Sequence, residues 1–249
     1  MKLAWSEKNV ILATYLTGIF DVNRNETLQN NQISPIVLWI ESLIKNNLRG
    51  VVFYNSLAEA ELEKYSNFVK FIKVETDVAY SPNVMRYFFY LQFLQKNIEI
   101  LNVFVTDITD VEVKINPFNS SFFFKNSNKI FCGDEPKILA NEWMYNHSTS
   151  FRNSIADFEA YELQNSNETL LNCGVIGGNR KIILSLFEKL CAFHKKYNYD
   201  NKSKYTGDMG AFNYILRTQF YGKILHGTPI NTIFKMYENE RVDCWFQHK

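Results

Sequence analysis

An alternation of strand-like and helix-like runs over the first 106 positions restricts this chain of 249 residues more than any other feature. VILATYLTG (10–18) is an apolar, β-rich run ended by Gly18. Ser34 and Pro35 supply a helix cap and a proline at the first helical position. Ile36, Val37, Ile40, Leu43 and Ile44 then recur at helical spacing until Arg49-Gly50. VVFYN (51–55) predicts a second strand, LAEAELEKY a short polar helix, and FVKFIKV (68–74) a third strand. Ser81-Pro82 repeats the start signal before the aromatic helix NVMRYFFYLQFLQK, and LNVFVT (101–106) follows as a strand. Strands separated by helices pair in parallel through right-handed crossovers. The order therefore predicts an α/β fold with a mainly parallel central sheet flanked by helices, and a ligand crevice beyond the C-terminal strand ends.

The second half is less regular. SFFFKN and KIFCG read as hairpin strands, and residues 141–167 are polar without a clear period. LLNCGVIGG (170–178) reads as a strand whose Gly177-Gly178 end marks a turn. A helix at 181–194 carries Ile182, Ile183, Leu186, Leu190 and Phe193 on one face. YNYDNKSKYTG (197–207) has the composition of a mobile loop, DMGAFNYILRTQF (208–220) reads as a helix, and KILHG (223–227) as a last strand. No repeat or low-complexity linker divides the chain, which predicts one domain over 1–249.

Charge is nearly balanced, with 27 Lys+Arg against 26 Asp+Glu, and no basic stripe accompanies it, so nucleic acid is a poor partner. The N-terminal MKLAWSEKNVILATYLTG lacks the apolar core of a signal peptide, and no run is long enough to span a bilayer. The expected location is the cytoplasm, with room for peripheral contact at the inner face of a membrane. Cys132, Cys173, Cys191 and Cys244 are scattered without CxxC spacing, as expected of reduced structural thiols.

VFVTDITDVEVKINPF (103–118) sets Asp107 and Asp110 three apart at a strand mouth. Aspartates cap turns in any protein. Two carboxylates across a tight turn can also share one hard divalent cation with phosphate oxygens and water, an arrangement that suits a diphosphate ligand.

Four segments carry a family resemblance: VFVTDITDV, LLNCGVIGG, TGDMGAFNYIL and LHG, in that order along the chain. Together they resemble nucleotide-sugar glycosyltransferases of the GT-A fold, in particular the glycogenin-like retaining branch. The resemblance implies a single GT-A (Rossmann-like) domain, with 1–118 as the nucleotide-binding half and 119–249 as the acceptor- and sugar-binding half. It makes Asp107 and Asp110 the metal carboxylates and His226 the third ligand. A nitrogen ligand favours Mn²⁺ over Mg²⁺. Thr14, Tyr15, Asp21, Arg24, Asn83, Arg86, Asp107 and Gly174 would hold the donor, while Asp208, Arg86 and Asn172 would act at the reacting centre.

Each position also has a plain reading: His226 as a strand-end histidine, Arg86 as a solvated helix charge, Asp208 as a helix cap, Tyr15 as packing. Three departures stand out. The acidic pair is Asp-x-x-Asp rather than Asp-x-Asp, Met209 replaces a usual glutamine, and the Lys-Pro-Trp element after the histidine is missing, with Lys235 a loose substitute.

The implied activity is metal-dependent transfer of a hexose from a nucleotide sugar, UDP-hexose first, to a glycan or lipid-linked acceptor hydroxyl, with retention. The alternative is a non-catalytic glycan- or nucleotide-binding protein of the same fold. The loop 197–207 would close over bound donor.

Overall fold

The computed structural model describes residues 7–21, 25–200 and 205–249. The strands are β1 (Asn9–Tyr15), β2 (Phe20–Asp21), β3 (Glu26–Thr27), β4 (Gly50–Tyr54), β5 (Val69–Lys73), β6 (Asn102–Thr106), β7 (Val111–Val113), β8 (Ile130–Ile138), β9 (Thr169–Asn179), β10 (Ile224–His226) and β11 (Phe246–His248). The α-helices are α1 (Val37–Lys45), α2 (Glu59–Tyr65), α3 (Pro82–Lys96), α4 (Ser121–Lys125), α5 (Glu142–His147), α6 (Thr149–Ser154), α7 (Phe158–Gln164), α8 (Arg180–Tyr197) and α9 (Asp208–Gln219).

Seven strands form the central sheet in the order β10-β8-β9-β6-β1-β4-β5. Every pairing is parallel except those of β9, which runs antiparallel to both β6 and β8. The expected mainly parallel α/β sheet is thus present, with one reversed strand inside it.

The apolar runs of β1 and β4 are buried on both faces, as a central strand covered by helices requires. In β1, Val10 and Leu12 face a core shared with α3, α8 and α9. Ile11, Ala13 and Tyr15 face a second core with Trp39 of α1 and the aromatic group Phe104, Phe123, Phe131, Trp245 and Phe246. Pro82 starts α3 as its fixed φ favours.

Several local expectations are corrected. Ser34 is not a cap: Ile33 holds that position, and a 3₁₀ turn (Ser34–Ile36) precedes α1. SFFFKN is the helix α4, because Phe123 is drawn into the second core against Phe131, with ring centroids 5.2 Å apart. Residues 141–167 fold into the three short helices α5, α6 and α7. Gly177-Gly178 is no turn but part of β9. Gly177 lies opposite Phe104, whose ring covers it so closely that a Cβ there would sit 2.1 Å from Phe104 Cδ1.

The segment after β10 returns to the centre of the molecule. Trp245 and Phe246 pack on Phe104 at 5.9 and 5.0 Å, and β11 pairs antiparallel with β7. The β7 residues VEV alternate in the sequence, whereas FQH of β11 carries no such pattern. Among the described residues no helix is long and apolar enough to cross a membrane.

Candidate active site

Asp107 directly follows β6, and its backbone N–H donates to the Gly174 carbonyl of β9 at 2.8 Å. The turn to Asp110 leads into β7, whose Val111 lies opposite His248 of β11. Lys249 N donates to the Asp110 carbonyl at 2.9 Å, which ties the end of β11 to the acidic turn.

As a result one ligand atom each of Asp107, Asp110 and His248 falls within 4.8 Å of the others. His248 Nε2 stands 4.0 Å from Asp107 Oδ2 and 4.0 Å from Asp110 Oδ2. The imidazole is buried; its backbone N–H donates to Thr232 Oγ1 at 3.1 Å and its ring packs on Phe234 at 4.4 Å. Gly174 leaves room for two of them: a Cβ there would lie 2.4 Å from His248 Cε1 and 2.9 Å from Asp107 Oδ2. Two carboxylates and one nitrogen around a space kept open by glycine fit a divalent cation.

His226 is not part of this cluster. It lies exposed at the end of β10, with Nδ1 2.8 Å from Asp134 Oδ2. The histidine that meets the carboxylates is His248, carried there by the β7–β11 pairing.

Behind the triad, Arg86 of α3 is buried and touches three elements. Nη1 donates to Asp107 Oδ1, Nη2 reaches Cys173 Sγ at 3.0 Å, and Nη2 stands 3.8 Å from Asp208 Oδ2. Burial works against its charge, but its acidic surroundings, with the Asp107 carboxylate in direct contact, outweigh burial and hold the guanidinium well above its ordinary pKa. The solvated-charge reading of Arg86 therefore fails. Burial likewise pushes the Cys173 thiol far up, so it is a neutral neighbour.

Asp208 is the first residue of α9, while Gly207, at φ +71°, holds the cap position. That placement favours a negative charge at the positive end of the helix. Its Oδ1 accepts from Thr206 Oγ1 at 2.5 Å and its Oδ2 from Cys173 Sγ at 3.6 Å. Met209 packs its sulfur 3.3 Å from Cys173 Sγ.

These groups line one cleft of about 390 Å³, which also includes Asp21, Asn83, Asn172, Gly174 and Lys235. A narrow extension of about 60 Å³ adds Thr14, Tyr15, Ile108 and Thr109, and shares Asp21, Asn83, Arg86 and Asp107 with the main cavity. Tyr15 is chiefly a core residue: its ring is buried and its hydroxyl donates to the Gln32 carbonyl at 2.7 Å. Asn83 Nδ2 donates to Asp21 Oδ1 at 3.3 Å. Arg24 and positions 201–204 of the loop 197–207 lie outside the described residues.

Besides His248, the sequence reading missed Glu135, Lys137 and Trp143, all in the cleft wall. Glu135 Oε1 accepts from Asn172 Nδ2 at 2.9 Å, and Asn172 Oδ1 accepts from Gly174 N at 2.6 Å. The only sequence signal for Glu135 was a charged break, GDEPK, in an apolar strand.

No protein-family model matches the chain, and no curated protein matches it in sequence. Among solved structures, the chain is similar to the galactosyltransferase LgtC in complex with donor and acceptor sugar analogs, with a TM-score of 0.53 at 13% identity. That match covers 96% of this chain and 86% of the other. An active-site mutant of LgtC matches with a TM-score of 0.55, again at 13% identity and with the same coverage. At this identity the likeness concerns the backbone: the chain has the mixed α/β GT-A fold, with a mostly parallel central sheet flanked by helices.

Proposed function

We propose that this protein is a metal-dependent glycosyltransferase that moves a hexose from a nucleotide sugar, UDP-hexose first, to a hydroxyl of a glycan or lipid-linked acceptor. The single observation that carries the reading is the Asp107, Asp110 and His248 cluster at the C-terminal end of a central strand, beside a buried arginine. Among the described residues the cleft walls hold five carboxylates, from Asp21, Asp107, Asp110, Glu135 and Asp208, against three cationic side chains, Arg86, Lys137 and Lys235. An acidic cleft of this kind repels a bare diphosphate and accepts one that arrives with a cation.

A divalent ion held by the three ligands would neutralise charge on the departing diphosphate. The chain's own groups supply the rest. Thr14, Asp21 and Asn83 line the narrow extension on the nucleotide side. Arg86 fixes Asp107 and Asp208 relative to each other through one guanidinium, so the ion-binding and sugar-binding sides of the cleft keep a set distance. Asn172, oriented by Gly174 and Glu135, would present an amide to the sugar, and Asp208, in the same cleft, would lie toward the anomeric carbon. Lys235, on the cleft rim, is placed to meet a phosphate. The acceptor hydroxyl would then bond to the anomeric carbon as the bond from that carbon to the diphosphate oxygen breaks, and the hydroxyl proton would pass to the departing phosphate oxygen on the same face, so that no basic side chain is needed. Retention is the expected outcome. The four cysteines are buried and unpaired, which suits a reducing cytoplasm.

A second reading, a non-catalytic nucleotide- or glycan-binding protein of the same fold, draws on Met209, which replaces a hydrogen-bonding amide with a thioether. Nucleotide release separates the two. The purified protein with Mn²⁺, screened against UDP-, GDP- and CMP-sugars, is expected to release nucleotide slowly from one of them. Binding without release from any, with or without candidate acceptors, favours the second reading. The absence of both binding and release contradicts both.

A further inference from the structure

We propose that Trp143 is the aromatic floor of a subsite for a pyranose acceptor, at the end of the cleft away from the nucleotide side. This rests on the donor reading above. The cleft has two ends that share Asp107 and Arg86. Thr14 and Thr109 mark the narrow extension, whereas Glu135, Lys137 and Trp143 line only the main cavity. With the nucleotide in the extension and its sugar between Asn172 and Asp208, the Trp143 end is the space left for a second substrate.

The indole is held in place before any ligand arrives. Asn141 Oδ1 accepts from Met144 N at 3.0 Å and caps α5, and Met144 anchors that turn in the core. One helical turn on, the buried His147 stacks against the indole with centroids 3.6 Å apart and planes 26° apart, and Tyr205 backs His147 at 4.7 Å. Burial lowers the His147 pKa, so a neutral ring lies under the indole. Trp143 nevertheless remains 37% exposed, and it is exposed into the cleft.

A fixed, flat apolar surface in a polar cleft matches the chemistry of a sugar ring. One face of a pyranose is a row of C–H bonds whose slightly positive hydrogens suit the negative face of an indole. The hydroxyls around its edge need charged and polar partners, which Glu135 and Lys137 offer in the same cavity. Because the indole is already ordered, little side-chain freedom is lost on binding.

The test uses the whole chain with Mn²⁺ and UDP, titrated with methyl glycosides, lactose, maltose and cellobiose while tryptophan emission and binding heat are followed. One of these sugars is expected to quench emission saturably. Trp143→Ala and Trp143→Leu should weaken that sugar about tenfold, and Trp143→Phe should restore most of the affinity. In turnover, the ratio of transfer to donor hydrolysis should fall with Ala and Leu through a higher acceptor KM. Unchanged sugar affinity in Trp143→Ala, no quenching by any sugar, or quenching of Trp143 by UDP alone would each overturn the proposal. The last outcome would assign the ring to the base. Failure of every nucleotide to bind contradicts the donor reading instead, and sugar titrations without UDP still decide whether Trp143 is a sugar platform.

Discussion

At Asp107, Asp110 and His248 the side chains approach to about 4 Å without closing on one another, while at Arg86, Cys173 and Asp208 the polar atoms are joined within the protein. The two groups share Asp107 and one cleft, yet they are built in opposite ways. The first opens Asp107 and Asp110 to the cleft in front of the buried His248 and concentrates negative charge around a space that Gly174 keeps open. The second is buried, spans α3, β9 and α9, and satisfies most of its charge internally. The contrast separates two duties: one side is arranged to gain a partner from solution, and the other to hold geometry while that partner comes and goes.

The largest expected effect falls on the buried side. Arg86→Met removes the cation between Asp107 and Asp208 and should cost about 3 kcal/mol of stability, read from urea unfolding. Arg86→Lys keeps the charge but loses the fork that reaches two elements at once. It should stay folded and lower nucleotide release by about 10²-fold. If Arg86→Met is as stable as the wild type, the internal charge network is not what fixes this side.

An effect of comparable size concerns pH and the polar network behind Asp208. His194 stacks on Tyr87 at 5.8 Å, and its Nδ1 is 3.1 Å from Asn198 Nδ2, which also donates to the Thr206 carbonyl at 2.7 Å. Burial pushes the His194 pKa down to about 4; Arg86 adds to the shift and Asp208 opposes it. The folded state therefore prefers a neutral ring. Its contribution is fully present above the ordinary histidine value near 6.5 and is lost as pH falls from there through about 4, amounting to roughly 3 kcal/mol at the low end. Thermal melts across this range should show the slope, and His194→Gln should flatten it. A wild-type slope in the variant would move the acid sensitivity elsewhere, with the buried His147 the next candidate.

The smallest effect sharpens the assignment of the third ligand. His226→Ala removes an exposed contact with Asp134, so it should change stability by no more than about 1 kcal/mol. Manganese affinity should stay within twofold of the wild type. A tenfold loss would return His226 to the metal site.

How far the sequence could be read follows the same division between local and distant causes. The parallel strands were legible because apolar β-rich runs and Ser-Pro starts are local signals. The reversed direction of β9 was not, since periodicity carries no strand direction. Asp107 and Asp110 were visible because one strand end bears both. His226 drew attention through its adjacency to Gly227, a neighbour in sequence. His248 reaches the site only through a three-residue pairing and the packing of Trp245 and Phe246 on Phe104, contacts across more than a hundred residues. Trp143 and Glu135 stayed hidden for a related reason: a polar stretch of short helices and a charged strand break become cleft walls only once the sheet exists.

The account depends above all on one cation shared by Asp107, Asp110, His248 and a diphosphate, and calorimetric titration of Mn²⁺ in the presence of UDP tests it most directly. The wild type should bind one ion per chain, Asp110→Ala and His248→Ala should lose that binding while still melting cooperatively, and UDP affinity should fall with it. Equal manganese binding by the wild type and a folded Asp110→Ala variant would contradict the account.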